Sequence, residues 1–134
     1  WELAEYVRGP VDGRRMLDAA RRLREAGARN VVVTRAGDPI LVLPNDGEPY
    51  EIVPPPLPRG FREGCGDTMM GAIAAAWAQG QPLRPALVLG AAAGSVNFLR
   101  HGLGTGQRDV IEEMAQRIEV RDPAGSRGGA KTAA

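Results

Sequence analysis

The sequence has very few residues that can form covalent cross-links or metal sites. It contains one cysteine, Cys65, and one histidine, His101. A single thiol excludes an internal disulfide and is typical of a reducing compartment, so we expect a cytoplasmic protein. Because no Cys/His cluster occurs in the sequence, a zinc site is not expected. A nucleophilic pair could only join Cys65 to His101, and a lone thiol is more often a small packing residue.

Excess charge and long apolar runs are also lacking. The 17 basic and 16 acidic side chains leave a formal net charge of +1, which gives no bias toward nucleic acid or membrane. No apolar stretch is long enough to span a bilayer, and residues 1–5 do not resemble a secretory signal. An initiator methionine is missing, so we expect a processed chain or a fragment. Neither a Walker-type phosphate loop nor a Gly-x-Gly-x-x-Gly turn of a βαβ unit occurs.

The residues that are present predict first an amphipathic helix, over residues 14–26. Its apolar side chains recur at helical spacing and are Met16, Ala20 and Leu23. The polar face carries five arginines, which fit either a patch for phosphate or nucleic acid or a solvated helix face. Acidic residues lie four positions after Arg14 and Arg21, and this spacing favours the solvated face.

Strands and further helices follow in the order expected for part of an α/β domain, with helices covering a sheet. Runs of β-branched and aliphatic residues predict strands over residues 30–34, 40–43 and 50–53. Turns are predicted at Asp12-Gly13 and at residues 36–39, and the second turn makes the first two strands a hairpin.

The second half of the chain predicts helices between glycine and proline breaks. They are residues 68–79, 86–100 and 109–118, besides a short helical segment at residues 1–8. In the first of these helices, the apolar residues at helical spacing that are predicted to face the core are Met70, Ile73, Ala74 and Trp77. In the last helix they are Val110, Ile111, Met114 and Ile118. Residues 123–134 are small and polar, which predicts a flexible tail.

The most informative stretch is Gly64-Cys65-Gly66-Asp67, which leads into the predicted helix at residues 68–79. Glycines before a helix leave its first N–H groups unpaired, and such groups at the positive end of the helix dipole attract anions. Asp67 places a carboxylate at the mouth of that site, unless it is only an N-cap. An anion cradle with an acid suits phosphoryl transfer, in which a carboxylate accepts the hydroxyl proton.

This stretch, continued by Thr68-Met69, resembles the Gly-Ala-Gly-Asp-Ser/Thr signature of the PfkB (ribokinase-like) carbohydrate kinases. Residues 31–42 resemble the family's nucleotide-side strand, loop and strand, and residues 89–97 resemble the helix that lines its adenine pocket. Glu2-Leu3 resembles the end of its Asn-x-x-Glu-Leu motif. The glycine-rich run at residues 100–106 is most similar to the 1-phosphofructokinase and tagatose-6-phosphate kinase branch.

The resemblance covers residues 1 to about 120. It implies an α/β, ribokinase-like three-layer fold, of which residues 1–122 would form the C-terminal, nucleotide-binding portion. It also implies ATP-dependent phosphorylation of a hydroxyl group on a sugar or sugar phosphate. The family's N-terminal half, with its lid and most sugar-binding residues, has no counterpart here. We therefore expect little or no kinase activity from the isolated chain.

The resemblance implies a role for each matching residue. Asp67 would be the base, and the backbone N–H groups of Gly64, Cys65 and Gly66 would form the anion hole. Cys65 replaces the family's usual alanine, a change that a backbone role tolerates. Thr34 and Gly37 would lie beside the nucleotide, and Asn97 would lie beside the adenine. Glu2 would act through water on Mg²⁺. Ala36-Gly37 shifts the family's loop glycine by one position, which leaves the role of Gly37 open.

The partners that the resemblance implies are a sugar or sugar-phosphate substrate and ATP, without nucleic acid or membrane. A homodimer and association with the missing N-terminal half are both compatible with it. The alternative function is a non-catalytic nucleotide-binding module of the same fold. A nucleic-acid binder using the arginine-rich helix is a third hypothesis, which the near-zero net charge disfavours.

Overall fold

The computed structural model describes residues 12–123, and within them the chain forms four helices and four strands. In chain order they are α1 (Gly13–Glu25), β1 (Val31–Arg35), β2 (Asp38–Leu43), β3 (Tyr50–Val53), α2 (Cys65–Ala78), α3 (Leu83–Phe98), α4 (Arg108–Ala115) and β4 (Glu119–Arg121). The described residues divide into two compact units. One holds α1 and most of the sheet, and the other holds α2, α3 and α4.

Helix α1 confirms the predicted amphipathic pattern. Met16 and Ala20 are buried with residues of β1 and β2, and Leu23 packs against the same cluster. The predicted turn at Asp12-Gly13 is wrong, because Asp12 is instead the N-cap of α1. Its carboxylate accepts a hydrogen bond from the Arg15 N–H at 2.9 Å, which satisfies a donor that the helix leaves unpaired.

The four strands form one sheet in the order β1-β2-β3-β4, so the predicted hairpin of the first two strands is confirmed. The turn is shorter than predicted and consists of Ala36 and Gly37, whose φ angles are 27° and 104°. A two-residue hairpin turn of this kind needs positive φ at both positions. Asp38 and Pro39, predicted to be in the turn, consequently belong to β2.

Strand β4 was not predicted from the sequence, and the helix expected over residues 109–118 ends at Ala115. A three-residue strand of exposed, mostly charged residues lacks a clear alternation of apolar and polar positions. Glu51 on β3 accepts hydrogen bonds from Arg121 Nε at 3.2 Å and Arg35 Nη2 at 3.3 Å. Because Glu51 is only 3% exposed, this pairing supplies the charge that a buried carboxylate needs.

In the second unit, the face that helix α2 packs against α3 shares only Ile73 with the predicted one, and Ala74 is exposed. Met70 and Trp77 are 63% and 51% exposed, whereas Met69, Ile73 and Ala76 are buried. The sequence of α2 is apolar on every side, so its periodicity does not single out one face. The close approach is set by Gly90 of α3, where an added Cβ would lie 2.5 Å from Ile73 Cγ1.

Helices α3 and α4 share a small core in which Ala92, Val96 and Met114 are buried. Ile111 and Ile118 pack against it as predicted, but Val110 is exposed and its predicted inward position is wrong. Helix α3 begins at Leu83, earlier than predicted. Pro82 is its N-cap and Pro85 occupies its first turn, where no N–H is needed.

Two predictions concern parts of the chain outside the described residues. They are the helical segment at residues 1–8 and, apart from Pro123, the tail at residues 123–134. The proposed boundary of the kinase portion at residue 122 stays a prediction. None of the helices between residues 12 and 123 has both the length and the apolar character that crossing a bilayer requires.

Candidate functional site

The stretch Gly64-Cys65-Gly66-Asp67 forms the start of helix α2. Gly64 is the N-cap in a left-handed conformation with φ of 70°, and Cys65 is the first helical residue. The helix therefore begins three residues earlier than predicted, so that Gly66 and Asp67 lie in its first turn. A Cβ at position 64 would be strained by the positive φ and would overlap the Leu103 side chain. Both constraints require glycine at this position.

The first turn of α2 leaves backbone donors unpaired. Thr68 N–H closes the helix by donating to Gly64 O at 2.9 Å, and Cys65 N–H makes a long bond of 3.3 Å to Arg62 O. Within residues 12–123, no hydrogen bond uses the N–H groups of Gly64, Gly66 or Asp67. These groups lie at the positive end of the α2 dipole, an arrangement that favours a bound anion.

The Asp67 side chain is exposed, and no hydrogen bond or ion pair joins its carboxylate to another described residue. It is not the N-cap, since Gly64 holds that place. A carboxylate in the first turn of a helix is stabilised by the dipole while remaining available to a ligand. Its position is therefore compatible with a proton acceptor beside a bound anion.

Asn97 lies in the last turn of α3 and is 1% exposed. Its Oδ1 accepts from Gly104 N–H at 2.9 Å and from Thr68 Oγ1 at 3.1 Å. Its Nδ2 donates to Glu63 O at 3.0 Å and to Cys65 Sγ at 3.6 Å. A single carboxamide thus contacts both sides of the turn at residues 64–67 and the glycine-rich loop at residues 100–106. Its predicted place beside adenine stays a prediction.

The glycine-rich loop lies against the segment that precedes α2. The rings of Phe61 and His101 are 4.0 Å apart, and Phe61 N–H donates to Phe98 O at 2.8 Å. Cys65 Sγ donates to Phe61 O at 3.2 Å. Among the described residues the thiol is therefore bonded to a backbone carbonyl and to the Asn97 amide, and no bond joins it to His101.

The remaining predicted site residues lie elsewhere. Thr34 is exposed on β1, and Gly37 is in the turn that follows it. The structure brings Asn97 to the turn at residues 64–67. Thr34 belongs to the other compact unit. Glu2 lies outside the described residues, and between residues 12 and 123 no group of three or more His, Cys, Asp or Glu side chains could hold a metal ion.

Sequence reasoning missed the bonds of Asn97 to Glu63 and Thr68 beside the turn and to Gly104 in the glycine-rich loop. One signal was available. Asn97 carries the one carboxamide of a helix that is mostly small and apolar, and a buried carboxamide must find hydrogen-bond partners. The identity of those partners depends on tertiary contacts that no sequence pattern contains.

The family model for pfkB family carbohydrate kinases matches residues 2–109, and the chain belongs to this family. No curated protein matches the chain significantly. Several solved structures do, and their similarity shows the ribokinase-like α/β fold.

Phosphofructokinase-2 from Escherichia coli, in complex with potassium, is 27% identical with a TM-score of 0.75, over 86% of this chain and 38% of its own. Ribokinase from Arabidopsis thaliana, complexed with ribose and ATP, is 20% identical with a TM-score of 0.74, again over 86% and 38%. A Staphylococcus aureus protein proposed to be a phosphofructokinase is 22% identical with a TM-score of 0.79, over 92% and 40%. The chain thus spans 38–40% of the length of these structures.

Proposed function

We propose that this chain is the nucleotide-side portion of an ATP-dependent kinase that phosphorylates a hydroxyl group of a sugar or sugar phosphate. Membership of the carbohydrate kinase family supports the class of reaction. The observation that carries the proposal is the start of α2, where unpaired N–H groups and an exposed carboxylate occur within four residues. That combination is what transfer of a phosphoryl group to an alcohol requires.

Asp67 is the proposed base. Its carboxylate would accept the proton of the sugar hydroxyl as oxygen attacks the phosphoryl group. Asp67 lies in the first turn of α2, beside the unpaired N–H groups that would hold the phosphoryl group. Since no other described side chain binds Asp67, its oxygens are available to a substrate hydroxyl.

The backbone N–H groups at the start of α2 are the proposed anion hole. Gly64 and Gly66 supply N–H groups that no described acceptor uses, while the Cys65 N–H is partly engaged by Arg62 O. Fixed donors need no reorganisation when negative charge develops, which is why they stabilise a transition state. Bound ATP would supply the phosphoryl group, and the roles of Thr34 and Gly37 beside the nucleotide stay predictions of the family resemblance. Glu2, which the resemblance predicts to act through water on Mg²⁺, lies outside the described residues.

The test is Asp67→Asn in the kinase that contains this chain, measured by ADP release coupled to NADH oxidation. We expect turnover to fall about 10²- to 10⁴-fold, the contribution typical of a general base, with ATP affinity little changed. Asp109→Asn is the matched control, because Asp109 is also acidic and in the first turn of a helix, α4. Unchanged turnover in Asp67→Asn would reject Asp67 as the base.

The alternative is a nucleotide-binding module without catalysis. It predicts that ATP binds, as measured by isothermal titration calorimetry, while ADP release stays at background even when the rest of the kinase domain is supplied. Fructose 1-phosphate and fructose 6-phosphate are the first acceptors to test, since phosphofructokinases are among the matched structures. Turnover with either acceptor would exclude this alternative.

A further inference from the structure

The Asn97 carboxamide uses all of its hydrogen-bonding capacity inside the protein. A carboxamide has two N–H donors and an oxygen with two lone pairs. The four partners described above, Glu63 O, Cys65 Sγ, Thr68 Oγ1 and Gly104 N–H, account for all four positions. With 1% of the residue exposed, nothing is left over for a ligand in this arrangement.

The partners of Asn97 enclose the candidate site in sequence and in space. Glu63 immediately precedes the turn at residues 64–67, and Thr68 immediately follows it. Asn97 therefore bonds to the chain on both sides of the turn, so that a displacement of either end from Asn97 would lengthen one of these bonds. Fully satisfied buried networks of this kind fix one arrangement of the groups they join.

The same carboxamide holds the glycine-rich loop against the turn. Gly104 N–H donates to Asn97 Oδ1. The preceding residue, Leu103, packs so closely on Gly64 that its side chain occupies the place of a Cβ at position 64. Leu103 is itself 66% exposed, so burial of its side chain does not fix the loop. The bond from Gly104 therefore connects the loop to the start of α2.

We propose that Asn97 is a positioning residue, which holds the anion-hole turn and the glycine-rich loop in one geometry without contacting adenine. The catalytic part of this inference rests on the proposed kinase function, whereas the geometric part does not. Because catalysis of this type depends on orientation, a small displacement of the N–H donors relative to Asp67 lowers the rate of the chemical step more than nucleotide binding.

The geometric test compares backbone ¹⁵N order parameters of the chain and its Asn97→Ala variant. We expect values at residues 64–67 and 102–106 to fall from about 0.85, typical of rigid backbone, toward 0.6. The control is Ser95→Ala, since Ser95 is also buried on α3 and, within residues 12–123, its hydroxyl bonds only Ala91 O of the same helix. Unchanged order parameters at residues 64–67 in folded Asn97→Ala would overturn the inference.

A milder pair of variants covers the case in which Asn97→Ala does not fold. Thr68→Val removes one bond to Asn97 with little change of shape, and Thr68→Ser keeps the hydroxyl. We expect Thr68→Val to increase motion at residues 64–67 and Thr68→Ser to restore the rigidity of the unsubstituted chain. Identical order parameters in both variants would contradict the proposal.

The catalytic test uses the kinase that contains this chain. We expect Asn97→Ala to lower kcat about 10- to 100-fold, with the KM for ATP within about 3-fold of its original value. A large rise in the KM for ATP with unchanged kcat would show that Asn97 binds adenine, and would overturn the inference. If no variant, including the unsubstituted enzyme, transfers phosphate, the proposed function fails and the order parameters alone decide the role of Asn97.

Discussion

At the scale of single residues, Gly64 determines how α2 begins. Its left-handed backbone and the adjacent Leu103 side chain each disfavour any larger residue. The sequence pattern predicted a glycine turn before a helix, and the structure adds the specific reason for glycine at this position. Gly66 differs, because a Cβ there would meet no other atom within 4 Å.

We expect Gly64→Ala to lower the free energy of unfolding by about 2 kcal/mol, since alanine is disfavoured in the left-handed region and would overlap Leu103. Urea denaturation followed by circular dichroism measures this. The matched variant Gly66→Ala should be neutral or stabilising by up to about 1 kcal/mol, because it removes glycine from a helix. In the double variant, Leu103→Ala should recover the part of the stability loss that the overlap with Leu103 causes. Equal stabilities of Gly64→Ala and the unsubstituted chain would contradict this explanation.

Asn97 shows where residue-level reasoning from the sequence stops. The family resemblance identified the position, and helical periodicity placed it near the end of the helix predicted over residues 86–100. Its partners are 7 to 34 residues away along the chain. Those contacts arise only when α2, α3 and the loop at residues 100–106 are packed together, so no local pattern could reveal them.

At the scale of elements, most helices and strands were predictable, but their ends and faces were less so. Helix α1 has a polar and an apolar side, and its inward face follows from spacing alone. Helix α2 is apolar all round, and of its predicted inward residues only Ile73 is buried. The buried side is set by α3, whose Gly90 admits Ile73 and whose Gly94 lies beside Cys65 O. Strand β4 is too short and too charged to produce a strand pattern.

The contact between α2 and α3 gives a prediction for Gly90→Ala. The added methyl group would lie 2.5 Å from Ile73 Cγ1 and 3.0 Å from Met69 O, so the helices must separate. We expect a loss of about 1–3 kcal/mol in the free energy of unfolding, typical of overpacking. Gly71→Ala on the exposed side of α2 is the control, because its Cβ would meet nothing within 4 Å. That change should stabilise by about 0.5–1 kcal/mol. A gain in stability for both variants would refute the close packing.

At the scale of the whole molecule, the chain spans 38–40% of the length of the structures to which it is similar. It contains the candidate base and the candidate anion hole. According to the family resemblance, most sugar-binding residues belong to the N-terminal half of the family fold, which these residues do not match.

We expect the isolated chain to show little or no kinase activity. A coupled ADP-release assay with fructose 1-phosphate or fructose 6-phosphate measures this, with the Asp67→Asn chain as the blank. Supplying the N-terminal half of a pfkB family kinase domain as a second polypeptide should raise the rate above that blank, because the acceptor hydroxyl would then be held near Asp67. Clear turnover by the chain alone would show that residues 1–134 carry a sufficient sugar site.

The sequence by itself determined the family, the order of the helices and three strands, the face of α1 and the location of the candidate site at residues 64–67. These features depend on local propensity, periodicity and a short ordered motif, all of which are properties of neighbouring residues. The tertiary structure decided where α2 begins, which face it buries, the pairing of β4 and the enclosure of the site by Asn97. Each of these depends on contacts between residues distant in the chain, which form only when the elements pack.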